Sequence, residues 1–237
     1  MTEVENSFKR GIKDGIPIAL GYIAVSFSFG ILASSFGVPV FITVLISMTN
    51  LTSAGQLAGL SVMVSCGSFV EIALTQVIIN LRYALMSLSL SQKVDEKIGR
   101  VGRAAISFAV TDEIFAVSGT KTGAVGKRYF LGLALLPYFG WALGTLLGAA
   151  AGNILPASVT SALGIAIYGM FIAIFVPPAK KFKPVLKVVI LAIIISCIFY
   201  WVPVLNKVSG GFAIIISTVI AAAFGAYFFP IKEDEDE

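Results

Sequence analysis

Apolar runs of about 20 residues recur along the chain from Ile16 to Lys232, and each is long enough to cross roughly 30 Å of hydrocarbon. A chain built this way folds as a bundle of membrane-crossing helices, because helices satisfy their own backbone groups where no water is available. Composition agrees. Of 237 residues, 57% are hydrophobic and 13% are charged, and the mean hydropathy is +0.95. A soluble domain carries roughly a quarter charged residues. The expected fold class is therefore all-α: a polytopic transmembrane helical bundle of about seven or eight spans, multi-pass in the cytoplasmic membrane and surrounded by membrane lipid.

Three regions follow: an amphipathic N-terminal segment over 1–15, a transmembrane domain over 16–229 and an acidic tail over 230–237. The polar Met1–Asp14 stretch and the lack of a small-residue cleavage site argue for a retained first span. That span is expected over Ile16–Phe36, with Pro17 in a first helical turn. Further spans are expected over Phe69–Ser91, Tyr129–Ala151, Val159–Val176, Val185–Val202 and Gly211–Phe229, with Pro177-Pro178 as a separator. Pro17–Gly37 and Pro137–Ala157 both set a proline before a Gly/Ala/Phe-rich run, which suggests an internal repeat of the kind found in transporters.

Orientation is harder to read. The N-terminal segment, the loop with Lys93, Lys97, Arg100 and Arg103, the loop over Lys121–Arg128 and the loop around Lys180, Lys181 and Lys183 are all basic. Basic loops belong on the cytoplasmic side. They cannot all lie there if Ala104–Gly119 crosses fully. Either that segment is re-entrant, or one basic loop faces out.

Polar residues inside apolar runs mark the candidate site, because a charge at bilayer centre costs roughly 2.5–3.5 kcal/mol even on insertion scales. Glu71, Asp112 and Glu113 are the acids so placed, and Arg82 is the base. Glu71, Thr75 and Arg82 share one helix face, but Glu71 and Arg82 are about 16 Å apart along it. Each needs a partner elsewhere, and Asp112 or Glu113 suits Arg82. Such a pair has two readings: a lock between helices, or a titratable group held beside a fixed cation. Glu71, near the start of its span, reads either as an interfacial, solvated group or as a reserve proton carrier.

The stretch Asn50, Thr52, Ser53 and Gln56 reads as a broken helix lining a cavity. Half-helix ends there offer N–H dipoles to anions and carbonyls to cations. A plain loop between two short segments is the other reading. The glycines Gly21, Gly30, Gly140, Gly144 and Gly148 read as close helix contacts. Tyr22, Trp141, Tyr168 and Trp201 read as core or interface anchors.

Several classes are excluded or disfavoured. There is no P-loop, no HExxH and no histidine at all, so no ATPase and no nucleophile–histidine pair is expected. No enzyme activity, cofactor or metal is expected, and proton coupling would fall to carboxylates or water. Two cysteines, Cys66 and Cys197, support neither a disulfide framework nor a zinc site. The charge of +4 lacks the concentrated basic face of a nucleic-acid binder.

Four motifs in order, Gly11-Ile12-Lys13-Asp14-Gly15-Ile16-Pro17, Ser53-Ala54-Gly55-Gln56, Asn80-Leu81-Arg82-Tyr83-Ala84-Leu85-Met86 and Thr111-Asp112-Glu113, together resemble the AzlC family over about Phe8–Lys183. The family pattern often has histidine after the arginine, where this chain has Tyr83. The resemblance implies the larger subunit of an exporter of branched-chain amino acids (leucine, isoleucine, valine), with methionine a further substrate. It also implies a small AzlD-type membrane partner. On the residues, the expected substrate-binding groups are Asn50, Thr52, Ser53, Gln56, Asn80 and Arg82, and the expected proton-coupling groups are Asp112, Glu113 and Glu71. A membrane scaffold or channel subunit, whose polar blocks only hold a partner, is the competing class.

Overall fold

The computed structural model describes residues 6–96, 98–152 and 154–230. Expectations for Met1–Glu5, Lys97 and the acidic tail beyond Pro230 lie outside them. The chain is 81% helical with no strands among the described residues. Helices follow in the order α1 Phe8–Ser35, α2 Val40–Thr49, α3 Ser53–Val64, α4 Phe69–Ser91, α5 Arg100–Phe108, α6 Asp112–Thr120, α7 Lys127–Gly152, α8 Ala157–Lys181, α9 Lys183–Trp201 and α10 Gly210–Phe228. Among the described residues, α1, α4, α7, α9 and α10 are both long and apolar enough to cross a membrane. Helix α8 matches them in length at 25 residues. The remaining helices form two short pairs, the apolar α2–α3 and the more polar α5–α6.

Three expectations are corrected. Helix α1 begins at Phe8, so the amphipathic segment and the first span are one helix, and Pro17 lies inside it rather than in its first turn. Pro177-Pro178 also lie within α8 and do not separate spans; the helix ends only at Lys181. Ala104–Gly119 is not one segment, because α5 and α6 meet at a break over 109–111. Gly37, by contrast, ends α1 as a glycine should. Its φ of 76° suits no ordinary side chain, and Val38 N–H returns to Ala33 O at 3.1 Å.

The chain forms two compact units: Met1–Leu57 with Asn80–Ile167, and Ala58–Ile79 with Tyr168–Glu237. In the first, α1 and α7 run parallel in close contact. A Cβ on Gly11 would strike the Tyr129 carbonyl, one on Gly132 the Phe8 carbonyl, and one on Gly148 the Phe27 carbonyl. Small residues thus let the two backbones touch, which is how helices associate where lipid is as apolar as the side chains. The paired prolines of the suggested repeat, Pro17 and Pro137, each sit inside one of these helices.

The two central basic loops meet within this unit. Val125 N–H donates to Lys93 O at 2.8 Å and Asp95 N–H to Val125 O at 3.1 Å, so the two central basic loops lie side by side. Asn6 joins them: its Nδ2 donates to Ala124 O at 3.0 Å and its Oδ1 accepts from Gly126 N–H at 3.0 Å. The N-terminal segment and both central loops therefore share one face, and α5–α6 leaves and returns to it. Lys93 Nζ donates to Gly119 O, a cation at the negative end of α6.

In the second unit, α9 and α10 pack together with the first half of α4 and the later parts of α3 and α8.

Candidate functional site

The first break is short. Asn50 and Thr52 hold it by bonding each other instead of continuing the helix: Thr52 N–H donates to Asn50 O at 2.8 Å and Thr52 Oγ1 to Asn50 Oδ1 at 3.2 Å. The non-helical part is only 50–52, because α3 restarts at Ser53. Leu51 turns into the core, at 5% exposure. Beyond it, Gln56 is 1% exposed and both ends of its amide are bonded. Its Nε2 donates to Ser47 Oγ at 2.7 Å and its Oε1 accepts from Trp141 Nε1 at 2.8 Å. Ser47 in turn lies 2.7 Å from Thr145 Oγ1. Tyr138 Oη caps the end of α2 by donating to Met48 O at 3.1 Å.

The second break carries charge. Thr111 caps α6, accepting Ile114 N–H at 3.3 Å, and Asp112 and Glu113 fill the first turn, where the helix dipole favours anions. Tyr22 Oη lies 2.6 Å from Thr111 Oγ1 and 2.5 Å from Glu113 Oε2. A phenol has one proton, and an ionised carboxylate only accepts. Tyr22 therefore donates to Glu113, and the Thr111 hydroxyl donates to Tyr22. Arg82 pairs with Asp112 as expected, Nη1 at 2.8 Å from Oδ2, and its Nη2 donates to Tyr83 Oη at 3.0 Å. Tyr83 thus fills the place after the arginine as an acceptor. Both side chains of the Arg82–Asp112 pair are 41% exposed, and Glu113 is exposed as well.

The two breaks meet through a pair of aromatics. The Tyr22 and Trp141 rings stand edge to face with centroids 5.1 Å apart. Tyr22 lies fourteen residues after Phe8 and thirteen before Ser35, and Trp141 fourteen after Lys127 and eleven before Gly152. Both are central in the longest helices of the unit, so both breaks lie level with the middle of those helices. The contact order is Thr145, Ser47, Gln56, Trp141, Tyr22, then Thr111 and Glu113. Leu51 and Val110, one from each break, belong to the same buried apolar cluster as the two aromatics. Sequence reading placed Tyr22 and Trp141 as anchors, named Thr111 only within its motif, and passed over Ser47 and Thr145. The available signal was a hydroxyl residue inside an otherwise apolar run, Ser47 in α2 and Thr145 in α7.

Asn80 is half-buried on α4, two residues before Arg82 and so turned about 160° from it. Glu71 belongs to the second unit. It is 4% exposed, so it is not an interfacial, solvated group. Its Oε1 accepts from Ser209 Oγ at 2.5 Å and Gly211 N–H at 2.9 Å, which caps α10 from another helix. One turn along, Thr75 Oγ1 is buried without a partner. No cluster of three metal-ligating His, Cys, Asp or Glu occurs among the described residues.

Crossing helices with two broken pairs meeting at buried polar groups define a multi-pass membrane protein built as transport proteins are. The family follows from comparison. The family model described as AzlC protein matches residues 17–155, and the chain belongs to that family of membrane transport proteins. An uncharacterized membrane protein of Archaeoglobus fulgidus is 33% identical over 175 residues, 73% of this chain and 76% of its own length. The inner membrane protein YgaZ of Escherichia coli is 31% identical over 176 residues, covering 70% and 71%. An uncharacterized membrane protein of Helicobacter pylori is 23% identical over 184 residues, covering 76% and 79%. No solved structure matches the chain.

Proposed function

We propose that the chain is the larger subunit of a proton-coupled exporter of branched-chain amino acids, working with a small AzlD-type membrane partner. The meeting of two helix breaks level with the middle of α1 and α7 carries this reading. The nine basic residues Lys9, Arg10, Lys13, Lys93, Arg100, Arg103, Lys121, Lys127 and Arg128 mark the shared face as cytoplasmic. With α1 and α4 each crossing once, crossing parity makes α2–α3 re-entrant from the opposite face. A re-entrant pair then enters from each side.

The two breaks divide the substrate between them. No acid occupies the first turn of α3, so its N–H groups at Ser53 suit the carboxylate of an amino acid. The first turn of α6 already holds Asp112 and Glu113, so it repels a carboxylate and suits an ammonium or a proton. Leu51, Val110 and Ile18 of the apolar cluster offer an aliphatic surface for the side chain. Arg82, always charged, stands beside Asp112 as a fixed counter-ion or grips the carboxylate.

The test is counterflow of labelled leucine, isoleucine and valine in proteoliposomes, with and without the small partner. Exchange of at least one is expected; no exchange of any under either condition sinks the reading. One observation favours a scaffold instead: a 41% exposed ion pair on a membrane chain needs a covering partner or water, since lipid tolerates it poorly. If Arg82 and Asp112 serve only the partner, Asp112→Asn loses the complex on co-purification. In a transporter it keeps the complex and loses flux.

A further inference from the structure

Among the described residues, Glu71 is the only charged side chain that is buried. It lies in the second unit, on α4, and makes no use of the groups at the two breaks. Two neutral donors reach its carboxylate, Ser209 Oγ–H at 2.5 Å and Gly211 N–H at 2.9 Å, and both use the same oxygen, Oε1. Among the described residues nothing donates to Oε2, and no Lys or Arg pairs with the carboxylate. The helix ends around it do not supply the missing charge. Gly211, in the first turn of α10, brings the positive end of one helix to Oε1. Oε2 faces an end of the other sign. A Cβ on Gly67 would lie 2.9 Å from Oε2 and 3.1 Å from the carbonyl oxygen of Val62, which is in the last turn of α3. The two dipoles oppose each other, and one full negative charge is left. A buried charge is costly unless it is paired or coordinated.

Thr75, one turn further along α4, adds a second oxygen. It is 0% exposed and its Oγ1 has no hydrogen-bond partner. A Cβ on Gly211 would lie 2.9 Å from Thr75 Oγ1 and 2.5 Å from Glu71 Oε1, so the hydroxyl and the carboxylate converge on one point of α10. We infer that Glu71 and Thr75 bind a monovalent alkali cation, sodium, between α4 and α10. Every group at the site offers oxygen, which suits a hard cation. One carboxylate neutralises one positive charge, and no group of three metal-ligating residues that would suit a divalent ion occurs among the described residues. An anion would be repelled by Glu71. The α3 end adds carbonyl oxygens of the kind that coordinate sodium at helix C-terminal ends. Bound there, the cation ties α4 to α10 whatever the first unit carries.

The experiment titrates radiolabelled sodium onto the full chain in nanodiscs, from a choline chloride buffer at constant chloride, and follows thermal melting in parallel. Sodium should bind saturably, and the melting temperature should rise with its occupancy but not with added choline. Glu71→Gln, which keeps an acceptor for Gly211 N–H, should abolish binding. Thr75→Val keeps the side-chain shape and removes the hydroxyl. It should weaken binding about tenfold, as loss of one polar contact to a charge does, while melting in choline no lower than the parent. Glu113→Gln, in the first unit, should leave binding intact. No saturable binding by the parent overturns the inference, as does parental affinity in Thr75→Val. Binding lost in Glu113→Gln and kept in Glu71→Gln would move the cation to the charged break and overturn it as well. So would a melting temperature that rises on acidification and ignores sodium, which would make the carboxylate a proton site. Sodium binding without any leucine counterflow would keep the site and remove only the transport reading.

Discussion

The break at Asn50–Thr52 and the break at Ala109–Thr111 share a layout, three residues between two short helices, and have opposite chemistry. Each ends one short helix and starts another, and each turns one aliphatic residue, Leu51 or Val110, into a common core. Around the first, the polar groups are neutral, and Gln56, Ser47 and Thr145 are shut away at no more than 1% exposure. Around the second, Asp112, Glu113 and Arg82 are charged and partly open. A neutral, dry, fully bonded site discriminates by shape and hydrogen bonding, because an unmatched group there has no water to turn to. A charged, partly open site can exchange protons or meet another chain. The proposed division of labour, selection at the first break and coupling at the second, rests on this contrast.

The largest expected effect comes from breaking the neutral side. Gln56→Ala strands Trp141 Nε1 and removes the donor to Ser47, at about 1–3 kcal/mol for each buried group left unpaired. A lowered melting temperature in detergent and loss of leucine exchange are expected; a variant as stable and active as the parent would remove Gln56 from the site. Next comes the ion pair. Arg82→Gln should abolish flux while the chain still co-purifies with its partner, and loss of the partner instead would move the pair from transport to assembly. Smaller again is Tyr22→Phe, which removes one hydroxyl and costs about 1 kcal/mol. Its informative readout is kinetic: exchange should persist while the response to an imposed pH gradient weakens, because Glu113 loses the donor that ties it to the first break. An unchanged pH response would make Tyr22 a packing residue only.

Much of this arrangement was legible in the sequence where the signal is local. The ends of α4 fall at Phe69 and Ser91, as hydropathy gives them, and α7, α9 and α10 begin and end within about two residues of expectation. Asn50 and Thr52 announced a break because their side chains compete with the backbone in place. Charge alone narrowed the partner of Arg82 to Asp112 or Glu113, and the structure pairs it with Asp112. The rest depended on contacts far apart in sequence. Tyr22 meets Glu113 across 91 residues, and periodicity sees only the helix a residue belongs to. The shared face of the two basic loops depends on two backbone bonds between Lys93, Val125 and Asp95, which no charge pattern encodes. The prolines misled for a related reason. Pro17, Pro177 and Pro178 read as helix boundaries from local geometry, yet the helices run through them, as membrane helices do when neighbours re-satisfy the backbone.

The contrast between the breaks is tested most directly by Glu113→Gln, which keeps an acceptor for Tyr22 Oη while removing the titratable group. Proteoliposomes carrying this variant with the small partner should be assayed twice, for leucine counterflow at equal pH and for leucine movement driven by a pH gradient. Asp112→Asn runs in parallel as the second carboxylate at that turn. The account predicts that the Glu113 variant folds, exchanges leucine at close to the parent rate and no longer responds to the gradient. If both variants fold and each keeps full pH-driven transport, the charged break does not carry the proton and the division of labour between the two breaks is wrong.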